Sequence, residues 1–186
     1  MRILSRIQNF LSGYWKKQEA VAAVEAAFVF PILLVLMLGT LDMGRGIMCN
    51  QKTIKASQVV ADLLTRHISV TDGDINEAVQ AATLSLLPYD TSNLGFDIVS
   101  YRFLADGTVD QIWRETRNMD PVQNAAQRVA PIADPGKGVV MVAAQYRYEP
   151  IFAGFVVNAI PMKEFSFARG RRSEFVCKQG AAGCSN

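Results

Sequence analysis

"VEAAFVFPILLVLMLG", residues 24–39, decides the fold, because it is an apolar run of membrane-spanning character that nevertheless carries a carboxylate, Glu25, and a proline, Pro31. From Ala20 to Leu41 Glu25 is the only charged residue. As a helix this segment rises about 33 Å, enough to cross a hydrocarbon layer of about 30 Å. The sequence therefore predicts one transmembrane helix over residues 20–48. A cleaved secretory signal fits less well, since the segment before the apolar core is long and only Gly44-Arg45-Gly46 offers small residues for cleavage. Residues 1–19 form a basic amphipathic segment on the cytoplasmic side. There Ile3, Ile7, Phe10, Leu11 and Tyr14 share a helical face, and Arg2 and Arg6 are available to lipid phosphates.

Lys/Arg counts near the span favour a cytoplasmic N-terminus by a small margin: Arg2, Arg6, Lys16 and Lys17 precede it, and Arg45, Lys52 and Lys55 follow. Cys177 and Cys184 point the same way. Their spacing, with Gly180 and Gly183 between them, suits a small disulfide-closed loop in an oxidising compartment. Cys49 has no obvious local partner. A formal charge of +2 over 186 residues is too balanced for a nucleic-acid groove.

Beyond the span the pattern stays helical without Gly or Pro until Gly73, which predicts a stem helix over residues 49–70, ending near His67. Residues 71–186 form the exported domain. Thr71-Asp72-Gly73-Asp74 opens a second helix with Ile75, Ala78, Val79, Ala82 and Leu86 on one stripe, and Pro88 closes it. Alternation over 96–101, the turn signal Ala105-Asp106-Gly107 and Thr108–Arg114 predict an antiparallel strand pair. A short helix at Pro121–Val129, a turn at Asp134-Pro135-Gly136, a strand at Val139–Tyr148 and part of a fourth at Phe165–Arg169 follow. Ile151–Ile160 reads as either a buried connection or a patch facing a membrane or partner. The expected fold class is α+β: a long N-terminal membrane-spanning helix, then an antiparallel sheet with one or two packed helices.

Glu25 lies about 7 Å along the helix from Ala20, where an acid can simply reach for the headgroups or meet a positive charge in an assembly. Pro31 frees the carbonyl of Ala27 and is expected to bend the helix. The run from Ala20 through Val-Glu25 and Pro31 to Gly39, followed by Leu41-Asp42-Met43-Gly44-Arg45, resembles the N-terminal signature of the TadE/TadG-like proteins, pseudopilin-like parts of the Tad (Flp) type IV pilus machinery of bacteria. More loosely, Leu87-Pro88-Tyr89, an isolated Trp113, Tyr146-Arg-Tyr-Glu-Pro150 and the Arg-rich stretch with two cysteines extend the likeness over most of the chain. The resemblance implies a single-pass protein of the inner membrane with a periplasmic, pilin-like domain. Its implied partners are other Tad pilins or pseudopilins, inner-membrane assembly proteins and a prepilin peptidase. In pilin-like proteins that peptidase cuts after a small residue, and a glutamate five places on pairs with the new amino terminus. Carried over, the bond is Ala20–Val21 and the register acid is Glu25, with Ala20 standing where glycine is usual. Some family members stay uncut, and Glu25 then meets another partner. Asp42, Gly44 and Arg45 are the family's motif at the membrane exit.

The residues offer little chemistry. His67, the single histidine, suits a helix end better than ligation. Asp72–Asn76 begins like a calcium loop, but Glu77 stands where glycine is required and Thr83 where a bidentate glutamate is, so capping is the reading. Gly136-Lys137-Gly138 is a turn rather than a phosphate loop. Trp113 is expected in the core, and Arg169, Arg171 and Arg172 at a solvated strand end. No catalytic residue, metal site or cofactor is expected. The expected function is a non-enzymatic pseudopilin-like component of Tad pilus assembly, and the alternative is a membrane-anchored periplasmic binding or sensor domain unrelated to pili.

Overall fold

The computed structural model describes residues 2–152, 154, 157–181 and 184, with side chains from Val21 onward. Helix α1 (Arg2–Leu64) is one unbroken element of 63 residues that contains Pro31. It ends three residues before His67, where Thr65 turns its hydroxyl back onto the Ala61 carbonyl (2.8 Å). A β-branched residue bonded back in this way competes with further helix. His67 is exposed just beyond.

After the two-residue strand β1 (Ser69–Val70), Thr71 caps helix α2 (Asp72–Leu86). Its hydroxyl oxygen accepts the Asp74 N–H (3.1 Å), and the Asp74 carboxylate accepts the Thr71 N–H (2.7 Å). This is the expected capping box, worth about 1 kcal/mol to a helix start. The stripe of Ile75, Ala78, Ala82 and Leu86 is buried against α1.

Strands β2 (Gly95–Phe103) and β3 (Val109–Arg117) form the expected antiparallel pair. The chain reverses at Gly107, whose φ of +82° is the left-handed conformation that glycine adopts without Cβ strain. Helix α3 (Ala125–Val129) is shorter than the expected Pro121–Val129. The reason lies in Asp97, a fully buried carboxylate that accepts the Val122 N–H (2.8 Å) and a two-pronged bond from Arg114 (2.9 and 2.5 Å). The first residues are thus drawn onto the sheet, and helix starts only after Asn124, at φ +57°.

Strand β4 (Gly138–Tyr148) follows the turn at Gly136, and β5 (Ile160–Ala168) begins five residues earlier than expected. The antiparallel sheet runs β3-β2-β4-β5. One face, with Phe96, Ile98, Val140, Val142, Ala144, Tyr146 and Tyr148, packs on α1 and α2. The other, with Val99, Tyr101, Phe103, Val139 and Met141, is covered by Ala125 and Val129 of α3.

The last strand, β6 (Cys177–Lys178), pairs in parallel with β1. The carbonyl before it, Val176, accepts both the Ser100 hydroxyl and the Trp113 indole N–H, each at 2.8 Å. Trp113 is thus in the core, as expected. Cys177 and Cys184 form a disulfide. Arg169 and Arg171 are paired with Asp134 and Asp62, which leaves a solvated strand end rather than a basic patch.

Candidate functional site

Helix α1 changes character at Asp42. On its N-terminal side every described residue from Val21 to Leu36 is exposed, on all sides of the helix, and the segment is long and apolar enough to cross a membrane. The side chain of Ala20 lies outside the described residues, so the Ala20–Val21 bond is defined only as backbone within α1. Glu25 sits in this exposed stretch, and among the described residues no hydrogen bond or ion pair reaches it. Pro31 lies in the same stretch without interrupting the helix.

On its C-terminal side the helix acquires a face. Asp42, Gly46, Cys49, Thr53, Ala56, Val60 and Leu64 are buried, at spacings of three or four that keep one stripe turned to the sheet. Small residues on this stripe let the helix lie close to β4 and β5. A Cβ on Gly46 would stand 3.4 Å from the Tyr148 ring, whereas Gly44 has open space around it. Of these two glycines the one in contact with the domain is therefore Gly46, not the Gly44 of the exit motif. Cys49 is free and fully buried. Beside the middle of the stripe, Lys52 donates to the Leu87 carbonyl (2.7 Å) and so holds the end of α2.

Asp42 is the junction. It is only 4% exposed, although it directly follows the apolar run. Its two carboxylate oxygens accept the backbone N–H groups of Ile151 (3.0 Å) and Phe152 (2.8 Å), and its carbonyl accepts the Tyr148 hydroxyl (3.2 Å). Three polar groups at the end of β4 are thereby fastened to one helix turn. Burial, followed by the Asp42 charge, pushes the Tyr148 hydroxyl above its ordinary pKa, which keeps it protonated as a donor. Arg45 is exposed, and its carbonyl accepts the Tyr89 hydroxyl (3.0 Å), so the loop after α2 joins the same level.

Between helix and sheet at this level lies a groove of about 400 Å³, open to one side and lined by Met43, Ile47, Tyr148, Pro150, Val157 and Met162 among others. Ile151, Phe152, Val157 and Ile160 are exposed around it, so of the two readings of this connection the patch is the one found. Of the expected residues, the fold brings Asp42 and Arg45 together with the domain and keeps Glu25 and Pro31 apart from it. Sequence reasoning missed Gly46, Tyr148 and Tyr89; the four-three spacing running on from Asp42 was the available signal for Gly46.

No curated protein and no solved structure matches this chain. Residues 20–62, all within α1, match the family model described as TadE-like protein, and this helical segment of the chain is similar to that family.

Proposed function

We propose that this chain is a non-enzymatic, pseudopilin-like component of Tad pilus assembly, held in the bacterial inner membrane by one span with its N-terminus cytoplasmic and its domain periplasmic. The observation that carries the reading is the two-part helix inside the TadE-like segment: an unpacked apolar half bearing Glu25, continuous with a half that is built into a folded domain. A carboxylate among lipid-facing side chains is costly unless it is paired or lies near the headgroups. An ammonium or basic group on another pilin-like helix supplies that pairing, and the alanines at 22, 23, 26 and 27 allow the backbones to approach. The domain docks on periplasmic assembly proteins. A prepilin peptidase acting at Ala20–Val21 would place the positive group on the chain itself or on its neighbour.

A photo-crosslinker at Val24, which is exposed, tests the reading in native membranes. Crosslinks to other pilin-like helices that weaken in the Glu25→Gln variant support it; a crosslink pattern identical to that of an unrelated single-span protein contradicts it. Intact-mass analysis with and without the peptidase then decides whether Glu25 meets the chain's own terminus or another group.

A further inference from the structure

We propose that Ile151, Phe152 and Val157, in the connection between β4 and β5, form a foot that rests in the outer interface of the membrane the helix crosses, with lipid as its partner. The inference rests on the membrane-spanning part of the helix expected over residues 20–48 being its apolar run, residues 20–41, and not on a role in pili.

The position of the foot follows from Asp42. The apolar run ends at Leu41, so the next turn of α1 emerges at headgroup level. The Asp42 carboxylate binds the N–H groups of Ile151 and Phe152, which fixes those residues at that same level. Ile151 is 57% exposed, Phe152 40% and Val157 43%. Beside them on the helix Met43, Ile47 and Met48 are also exposed. An apolar collar thus lies along part of the helix just beyond the apolar run, next to the exposed apolar surface of residues 21–41. Apolar patches of this kind are rare in water and mark membrane or protein contacts.

The groove between collar and helix has the same character, with Met43, Ile47, Val157 and Met162 in its walls. Acyl-chain segments fill such a space without the cost of hydrating it. The polar neighbours also suit the interface. Arg45, Tyr89, Asp90, Arg147 and Glu149 line the adjoining surface, and tyrosine is a residue that settles among headgroups. Mixed charges there fit headgroup depth rather than the hydrocarbon core. The consequence is mechanical: with one end on α1 and the foot on the bilayer, the domain cannot swing freely about its stem.

Full-length protein in phosphatidylcholine/phosphatidylglycerol vesicles tests this. A nitroxide is placed on Val157→Cys, or on Ile151→Cys as the second variant, in a Cys49→Ala background, and its collision rates with oxygen and with a water-soluble nickel chelate are measured. Labels at Leu34→Cys and Arg172→Cys serve as the lipid and water references. The foot label is expected to favour oxygen over nickel several-fold more than the Arg172 label. A nickel accessibility equal to that at Arg172 overturns the proposal. Shielding from both reagents also overturns it, because a protein partner then covers the collar. A water-exposed label at Leu34 would instead show that the span reading itself is wrong, and the foot would fall with it.

Discussion

Residues 21–41 and 42–64 belong to the same unbroken helix, yet only the second set has a face. In the first, exposed apolar side chains point in every direction, the character of a candidate membrane span. In the second, buried residues recur every three or four positions, so one side packs on the domain and the other is exposed. Helical geometry is common to both; the distribution of apolar side chains around it is not. The difference shows that the two halves can be altered separately, one changing what the protein meets in the membrane and the other changing whether the domain folds.

Truncations separate the halves most strongly. Leu64→Ala removes a fully packed side chain and should cost the domain about 2–5 kcal/mol, whereas Leu34→Ala should leave its stability unchanged. Chemical denaturation of the full chain in detergent micelles, followed by the near-UV signal of Trp113, measures both. A similar loss from the two variants would break the comparison.

Two glycines sharpen it over a single half-turn. Gly46→Val forces a branched side chain toward the Tyr148 ring and should destabilise by about 1–3 kcal/mol, while Gly44→Val meets open space and should be nearly neutral. The same denaturation assay reports both. At the junction itself, Asp42→Ala leaves the Ile151 and Phe152 N–H groups without their acceptor, at a cost of about 1–3 kcal/mol. Faster hydrogen exchange confined to those two amides, with β2 unaffected, is the expected signature.

A smaller effect comes from acid. Lys178, with Arg117 beside it, holds the Glu115 carboxyl below the usual carboxylate range, and the Thr71 backbone N–H does the same for Asp74. Because the folded forms bind protons more weakly than the unfolded chain, their contribution is fully present above the unfolded carboxylate pKa of about 4 and is lost as the pH falls below it. The domain should therefore lose stability below about pH 4 while the helical signal of residues 21–41 in micelles persists. Simultaneous loss of both would contradict the separation.

Much of this was legible in the sequence because local chemistry agreed with the fold. The span needed only composition, α2 announced itself through Thr71 and Asp74, and Gly107 and Gly136 stood at turns that call for positive φ. What stayed hidden depended on partners distant in the chain. β5 starts at Ile160-Pro161, and a proline argues against a strand; it is tolerated because β5 is an edge of the sheet. The β1–β6 pair is two residues long on each side and has no periodicity to read. The shortened α3 reflects the pull of buried Asp97 on Val122, which no local pattern signals. In the candidate site Glu25 stood out as an acid inside an apolar run, whereas Asp42 was visible only as part of the exit motif, and its role required Ile151 and Phe152, more than a hundred residues away.

If residues 20–41 are a specific assembly element and not an inert tether, they cannot be exchanged for another span. Replacing that segment with an unrelated span of equal length, keeping Asp42 onward, and measuring surface pili together with membrane insertion and the folded state of the domain decides between the two. An inserted, folded protein that no longer supports pilus assembly is expected. Normal pilus assembly by the chimaera would overturn the assembly role and would favour an anchored binding or sensor domain.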